Sequence, residues 1–216
     1  MNVRFEGPAG MLEGILWEPT DGLPRAAVVV CHPHPKPPPP TLGGTMRNNV
    51  VHRIARGFGD AGLAVLRFNF RSVGASEGEH DGQGAEDGDL SAALDFLAGR
   101  HPDLPLWAAG FSFGARTVAS LAPRESRIER VCLVALPVGV YEVESARHIT
   151  QPGLVLMAEK DVFGTRAQLE SRFPELVDRM EVQEVPGVDH FFTGDLEQVR
   201  TRIADWATRS LAGSPA

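Results

Sequence analysis

Five short, almost purely apolar runs recur along the chain, at 26–31 (AAVVVC), 63–70 (LAVLRFNF), 104–109 (LPLWAA), 131–136 (VCLVAL) and 153–157 (GLVLM). Runs this short, without polar alternation, fit strands covered on both faces better than helices. Helical patterns separate them at 48–61, 84–98 and 114–121, and a long amphipathic helix closes the chain at 195–211. Strand and helix in alternation build a mainly parallel sheet with helices on both faces. Residues 3–5 and 12–17 flank the turn-forming Gly7-Pro8-Ala9-Gly10 and predict an antiparallel hairpin at the sheet edge, while 180–185 alternates as a last strand. The 216 residues suffice for one core, so a single domain over 1–212 is expected, with 213–216 as a loose tail.

The formal net charge is -7 and the 21 Lys and Arg form no run, which argues against a polyanion-binding surface and makes nucleic acid an unlikely partner by charge alone. No stretch reaches the roughly 18 uncharged apolar residues of a membrane span, and the amino terminus lacks a signal-peptide pattern. The expectation is a cytoplasmic protein without membrane association, monomeric or homodimeric. Cys31 and Cys132 each lie inside an apolar run, as buried reduced thiols do.

One motif carries chemistry. Gly110-Phe111-Ser112-Phe113-Gly114 follows the run 106–109 and opens into a helical segment, giving strand, sharp turn and helix in the order of a nucleophile elbow. The turn needs small residues at Gly110 and Gly114, since it strains the serine backbone and brings the helix close to the strand. It also sets the serine at a helix amino terminus, where developing negative charge is stabilised.

A serine hydroxyl needs a base, usually a histidine held in one tautomer by a carboxylate. With such an elbow the chain order is serine, acid, histidine. Of seven histidines only His148 and His190 follow Ser112. His148 sits among Glu144, Ser145, Ala146 and Arg147 with no following strand to position it, whereas His190 follows the last predicted strand in a Gly- and Pro-containing loop, so His190 is the expected base. The acid should leave a central strand, which retains Glu159 and Asp161. Asp161 is preferred because it lies further into the loop, beside Val162-Phe163-Gly164. Asp189 adjoins His190 and reads as a loop-capping residue.

Acyl transfer also needs donors for the developing oxyanion. The Phe113 N–H is one, by its place after the nucleophile. The second should come from the loop after Cys31, where 33–40 holds six prolines in eight positions. Proline has no N–H, which leaves His32, His34 and Lys36, and His34 is favoured by position. Two histidines at that spacing without further ligands are a poor metal site, and neither metal nor cofactor is expected. Phe111, Phe113, Phe191 and Phe192 can line an apolar substrate pocket or belong to the core. Arg71 and Ser76-Glu77 follow a central strand at the same sheet edge and read as structural, with Arg71 tying loop carbonyls or carboxylates.

With these pieces placed, the chain resembles the α/β-hydrolase superfamily, and within it small bacterial hydrolases related to dienelactone hydrolases and to X-prolyl dipeptidyl peptidase-like domains. The likeness rests on Cys31-His32-Pro33-His34-Pro35, on Gly43-Gly44-Thr45-Met46 with Asn48 and Asn49, and on 66–71 with Val73-Gly74-Ala75-Ser76-Glu77-Gly78. It continues in the Ser112 elbow and in Asp189-His190-Phe191-Phe192. The resemblance implies an α/β-hydrolase fold, and no stretch between Leu136 and Gly153 is long enough for a large cap domain. The resemblance also implies a Ser112, Asp161 and His190 triad, and an oxyanion hole from the His34 and Phe113 N–H groups. Dienelactone hydrolases carry cysteine where this elbow carries serine, and the proline-rich loop departs from its relatives. The expected activity is hydrolysis of small carboxylic esters or thioesters through an acyl-enzyme. A peptidase or amidase, and a non-catalytic interaction protein binding through its proline loop, are the alternatives.

Overall fold

A computed structural model describes residues 1–35, 44–80 and 84–213. Lys36, the prolines at 37–40, Gly43 and the last three residues of the expected tail lie outside the described residues. Eight strands form one sheet: β1 (Asn2–Gly7), β2 (Gly10–Trp17), β3 (Ala27–Cys31), β4 (Ala64–Phe68), β5 (Leu106–Phe111), β6 (Ile128–Val134), β7 (Gly153–Ala158) and β8 (Met180–Val185). Their spatial order is β1-β2-β4-β3-β5-β6-β7-β8. The β1–β2 and β2–β4 pairs are antiparallel and all others are parallel. The edge hairpin and the parallel centre are therefore both as the sequence predicts.

Among the described residues six α-helices accompany the sheet: α1 (Asn49–Asp60), α2 (Glu86–Arg100), α3 (Phe113–Leu121), α4 (Arg166–Arg172), α5 (Pro174–Arg179) and α6 (Leu196–Ala212). Every residue of β3 is buried, because alternate side chains enter two different cores. Val28 and Val30 join Trp107 and Phe111 of β5 against α1 and α6. Ala27, Val29 and Cys31 point the other way, with Ala108, towards α2 and α3. This two-sided burial explains why the central runs carry no polar alternation.

Element ends differ from the sequence expectation where side chains replace ladder partners. The run 63–70 leaves the sheet after Phe68, because the Phe70 N–H donates to the His32 ring instead of a strand. The run 131–136 starts earlier, at Ile128, and stops before Ala135, whose φ is 48°. Helices α4 and α5 have no counterpart among the expectations, being too short for an apolar period to emerge. A Thr165–Gln168 capping box marks the start of α4. Between β6 and β7 only a short 3₁₀ segment, Glu144–His148, is present, so no cap domain is inserted there.

After β3 the chain moves to β4 on one side, then returns to β5 on the other. The crevice beyond the carboxyl ends of β3 and β5 is thus the topological switch point where open α/β sheets bind ligands.

Candidate active site

Ser112 occupies that crevice. It lies between β5 and α3 with φ 54° and ψ -116°, a left-handed conformation costly for a non-glycine residue. The surroundings impose it. The Ser112 N–H donates to Val134 O at 2.9 Å, and Ser112 O accepts from the Arg116 N–H at 3.0 Å as α3 begins. A Cβ at Gly110 would sit 2.2 Å from the Gly114 carbonyl carbon, and one at Gly114 would sit 2.4 Å from the Cys31 carbonyl oxygen. Both contacts involve backbone, so neither glycine tolerates a side chain without moving strand or helix.

His190 Nε2 lies 2.9 Å from Ser112 Oγ, and His190 Nδ1 lies 2.7 Å from Asp161 Oδ2. All three residues are buried. A carboxylate only accepts, so the Nδ1 facing it carries the proton and Nε2 is left to accept from the serine hydroxyl. The loops carrying acid and histidine are joined by backbone bonds. Glu159 N donates to Val185 O and Lys160 N to Val188 O, and Glu159 Oε2 accepts from the Gly187 N–H. Glu159 therefore ties the two loops together while Asp161 faces His190. Asp161 Oδ1 accepts from the Phe163 N–H at 2.8 Å, which fixes the carboxylate plane. Asp189 Oδ1 accepts from the N–H groups of Phe191 and Thr193, the loop-capping role expected of it, and these bonds hold its pKa below the ordinary carboxylate value despite the opposing effect of desolvation.

Phe113 is the first residue of α3, so its N–H belongs to the turn that has no intrahelical acceptor. The His34 ring packs edge-on to the Phe113 ring at 5.2 Å, which places the loop after β3 beside the elbow. His32 has a different task. Its Nε2 accepts from the Phe70 N–H at 3.1 Å, so Nδ1 bears the proton and donates to Pro33 O at 2.6 Å. The ring is thereby a buried strut between the loops after β3 and β4.

Burial lowers the His32 pKa from 6.5 to about 4. The unfolded chain thus binds a proton more readily than the folded one between those values. The stabilisation from keeping this ring neutral is complete above pH 6.5 and is lost as pH falls towards about 4, amounting to roughly 3 kcal/mol over the full window. Urea unfolding at pH 7 and pH 5 should show stability falling with acid, with a shallower fall in His32→Gln.

The four phenylalanines divide. Phe111 and Phe191 pack on the His190 ring at 5.1 and 5.2 Å. Phe163 joins them at 4.7 Å, a neighbour that nothing in the sequence tied to the histidine beyond its place near Asp161. Two of them are corrections: Phe111 and Phe192, the latter with φ 55°, are both fully buried in the core against α1 and α6, so neither offers a surface to a substrate, whereas Phe191 is partly exposed. The sharp turn at Phe192 sends successive side chains in opposite directions, one towards His190 and one into the core.

Arg71 and Ser76 are structural. Asp89 is bound by the Arg71 guanidinium, with Nη2 at 2.6 Å from Oδ1, and Arg71 Nη2 also donates to Ala85 O. Ser76 Oγ donates to Asn69 O and accepts from the Glu13 N–H, while Asn69 Oδ1 accepts from the Met46 N–H. Asn69 thereby anchors the chain leading into α1.

The comparisons with known proteins decide the family. An alpha/beta hydrolase domain family model matches residues 42–210. The chain belongs to the α/β-hydrolase family. It is 31% identical over 218 residues to an uncharacterized protein of Rickettsia prowazekii, covering 94% of this chain and 87% of that one. An alpha-beta serine hydrolase homologue from Coxiella burnetii superposes with a TM-score of 0.86 at 31% identity, over 95% of this chain and 96% of that one. An α/β serine hydrolase without a lid from Xanthomonas campestris superposes with a TM-score of 0.88 at 29% identity, over 100% and 96% of the two chains. This α/β-hydrolase has no cap inserted between β6 and β7, and among its described residues no helix is long and apolar enough to cross a membrane.

Proposed function

We propose that the protein is a serine hydrolase that cleaves small carboxylic esters or thioesters through an acyl-enzyme on Ser112. The observation that carries this reading is the hydrogen-bonded series from Ser112 Oγ through the His190 ring to Asp161 at the carboxyl edge of the sheet. His190 takes the Ser112 proton as Oγ attacks the carbonyl carbon, and returns it to the departing alcohol or thiol. Water, deprotonated by the same ring, then releases the acid and restores the serine. Asp161 keeps the ring in the accepting tautomer and stabilises the imidazolium that forms. The Phe113 and His34 N–H groups are assigned to the oxyanion, with the helix amino terminus adding to the field there. The serine hydrolase relatives from Coxiella and Xanthomonas support the choice of nucleophile. The absence of an inserted cap between β6 and β7 supports small or exposed acyl groups.

A fluorophosphonate probe should label the protein once, at Ser112, as read by intact and peptide mass spectrometry. Turnover of a matched ester, thioester and amide series should then favour the first two. An unlabelled, inactive protein would instead favour the non-catalytic alternative, and preferred amide cleavage would favour the peptidase.

A further inference from the structure

The two sides of the Ser112 site differ in chemistry. Around His190 the neighbours are Phe111, Phe163 and Phe191. Around Phe113 they are Phe70 on the core side and then His34, His80, Tyr141 and Arg116, with Tyr141 at 6.3 Å from the Phe113 ring and the Arg116 guanidinium at 5.9 Å over it. We infer that this second side holds a carboxylate on the substrate, with Arg116 and Tyr141 as the specificity-determining residues. The inference rests on reading Ser112 as a hydrolase nucleophile, and it names the class of ester taken: one whose acyl or alcohol part carries an acidic group.

The placement of Arg116 is the first argument. It lies one turn into α3, where a cation opposes the helix dipole, and the first turn of that helix contains no acid. Its Nη1 is buried without a hydrogen-bond partner among the described residues. A guanidinium kept in such a place against local preference marks a site that uses the charge.

The second argument is where the neighbouring acids are. Glu86 is fully buried and faces His80, with 2.5 Å between Oε1 and the ring Nδ1. Asp87 Oδ2 is engaged by Ser120 Oγ at 2.6 Å and by the Arg124 guanidinium. Glu86 Oε2 and Asp87 Oδ1 have no hydrogen-bond partner among the described residues, and Arg116 lies close enough to Asp87 to favour its charged form, while Arg116 and Tyr141 remain partly exposed beside Phe113. Burial raises the Tyr141 phenol above its ordinary pKa, which keeps it a hydrogen-bond donor at neutral pH. A fixed cation and a phenolic donor on one wall suit a carboxylate, which accepts from both.

The test compares the 4-nitrophenyl hemiester of glutaric acid with its methyl diester, which differ only in the distal charge, after subtraction of spontaneous hydrolysis. Wild-type protein should prefer the acid by about tenfold or more in kcat/KM. Arg116→Met should reduce that ratio by about tenfold, and Tyr141→Phe, which removes one oxygen, by a few-fold, with circular dichroism confirming that each variant is folded. A wild-type ratio at or below unity would overturn the inference without needing any variant, as would a ratio unchanged in folded Arg116→Met. Either result would leave the hydrolase reading intact. Failure to turn over both esters, together with failure of fluorophosphonate labelling, would instead remove the hydrolase reading itself.

Discussion

Ser112→Ala is expected to lower kcat for 4-nitrophenyl acetate by about 10⁴-fold or more, because Ser112 Oγ is the oxygen hydrogen-bonded to the proposed base, His190 Nε2. The loss should fall on kcat more than KM, since the hydroxyl acts at the reacting carbon. Fluorophosphonate labelling should vanish in parallel. The Ser112 hydroxyl makes its hydrogen bond to His190 Nε2, and the backbone bonds that shape the elbow do not involve it. The variant should therefore fold with a melting temperature within a few degrees of the wild type. Turnover persisting at wild-type rates in this variant would reject the proposed mechanism.

Asp161→Asn should cost about 10⁴-fold in kcat/KM while changing almost no volume. The size of the effect follows from which way the amide must point. Asp161 Oδ1 accepts from the Phe163 N–H, and Oδ2 accepts from His190 Nδ1. An asparagine keeps its carbonyl oxygen on the Phe163 N–H, since an NH₂ there would face another donor. The NH₂ then faces His190 Nδ1 and makes that nitrogen the acceptor. The proton moves to Nε2, which can no longer accept from Ser112. Steady-state kinetics with thermal melting separates this from unfolding, and wild-type activity in folded Asp161→Asn would show that the carboxylate does not orient the base.

These expectations were partly legible in the residues. Strand, turn and helix around Ser112 follow from the apolar run at 106–109, the paired glycines and the helical segment after them. The glycines have the tight backbone contacts that a strained elbow demands. Chain order and the poor context of His148 were enough to single out His190. Phe192 could not be assigned this way, since adjacent aromatics in a loop look alike until the backbone turn sets their directions. His32 was one of several possible oxyanion donors in the sequence. Only the return of the chain at Phe70 shows both ring nitrogens occupied.

The polar side of the site illustrates the remaining gap. His80 and Tyr141 come from two separate connections and Glu86 and Arg116 from two helices, and no periodicity links them. What the sequence by itself determined was the doubly covered parallel sheet and the edge hairpin, because those rest on local apolar patterning and turn chemistry. Tertiary structure alone decided which acid faces the histidine, which phenylalanines reach the site and which charges turn inward. Those depend on how strands far apart in the chain align their carboxyl ends at the crevice between β3 and β5.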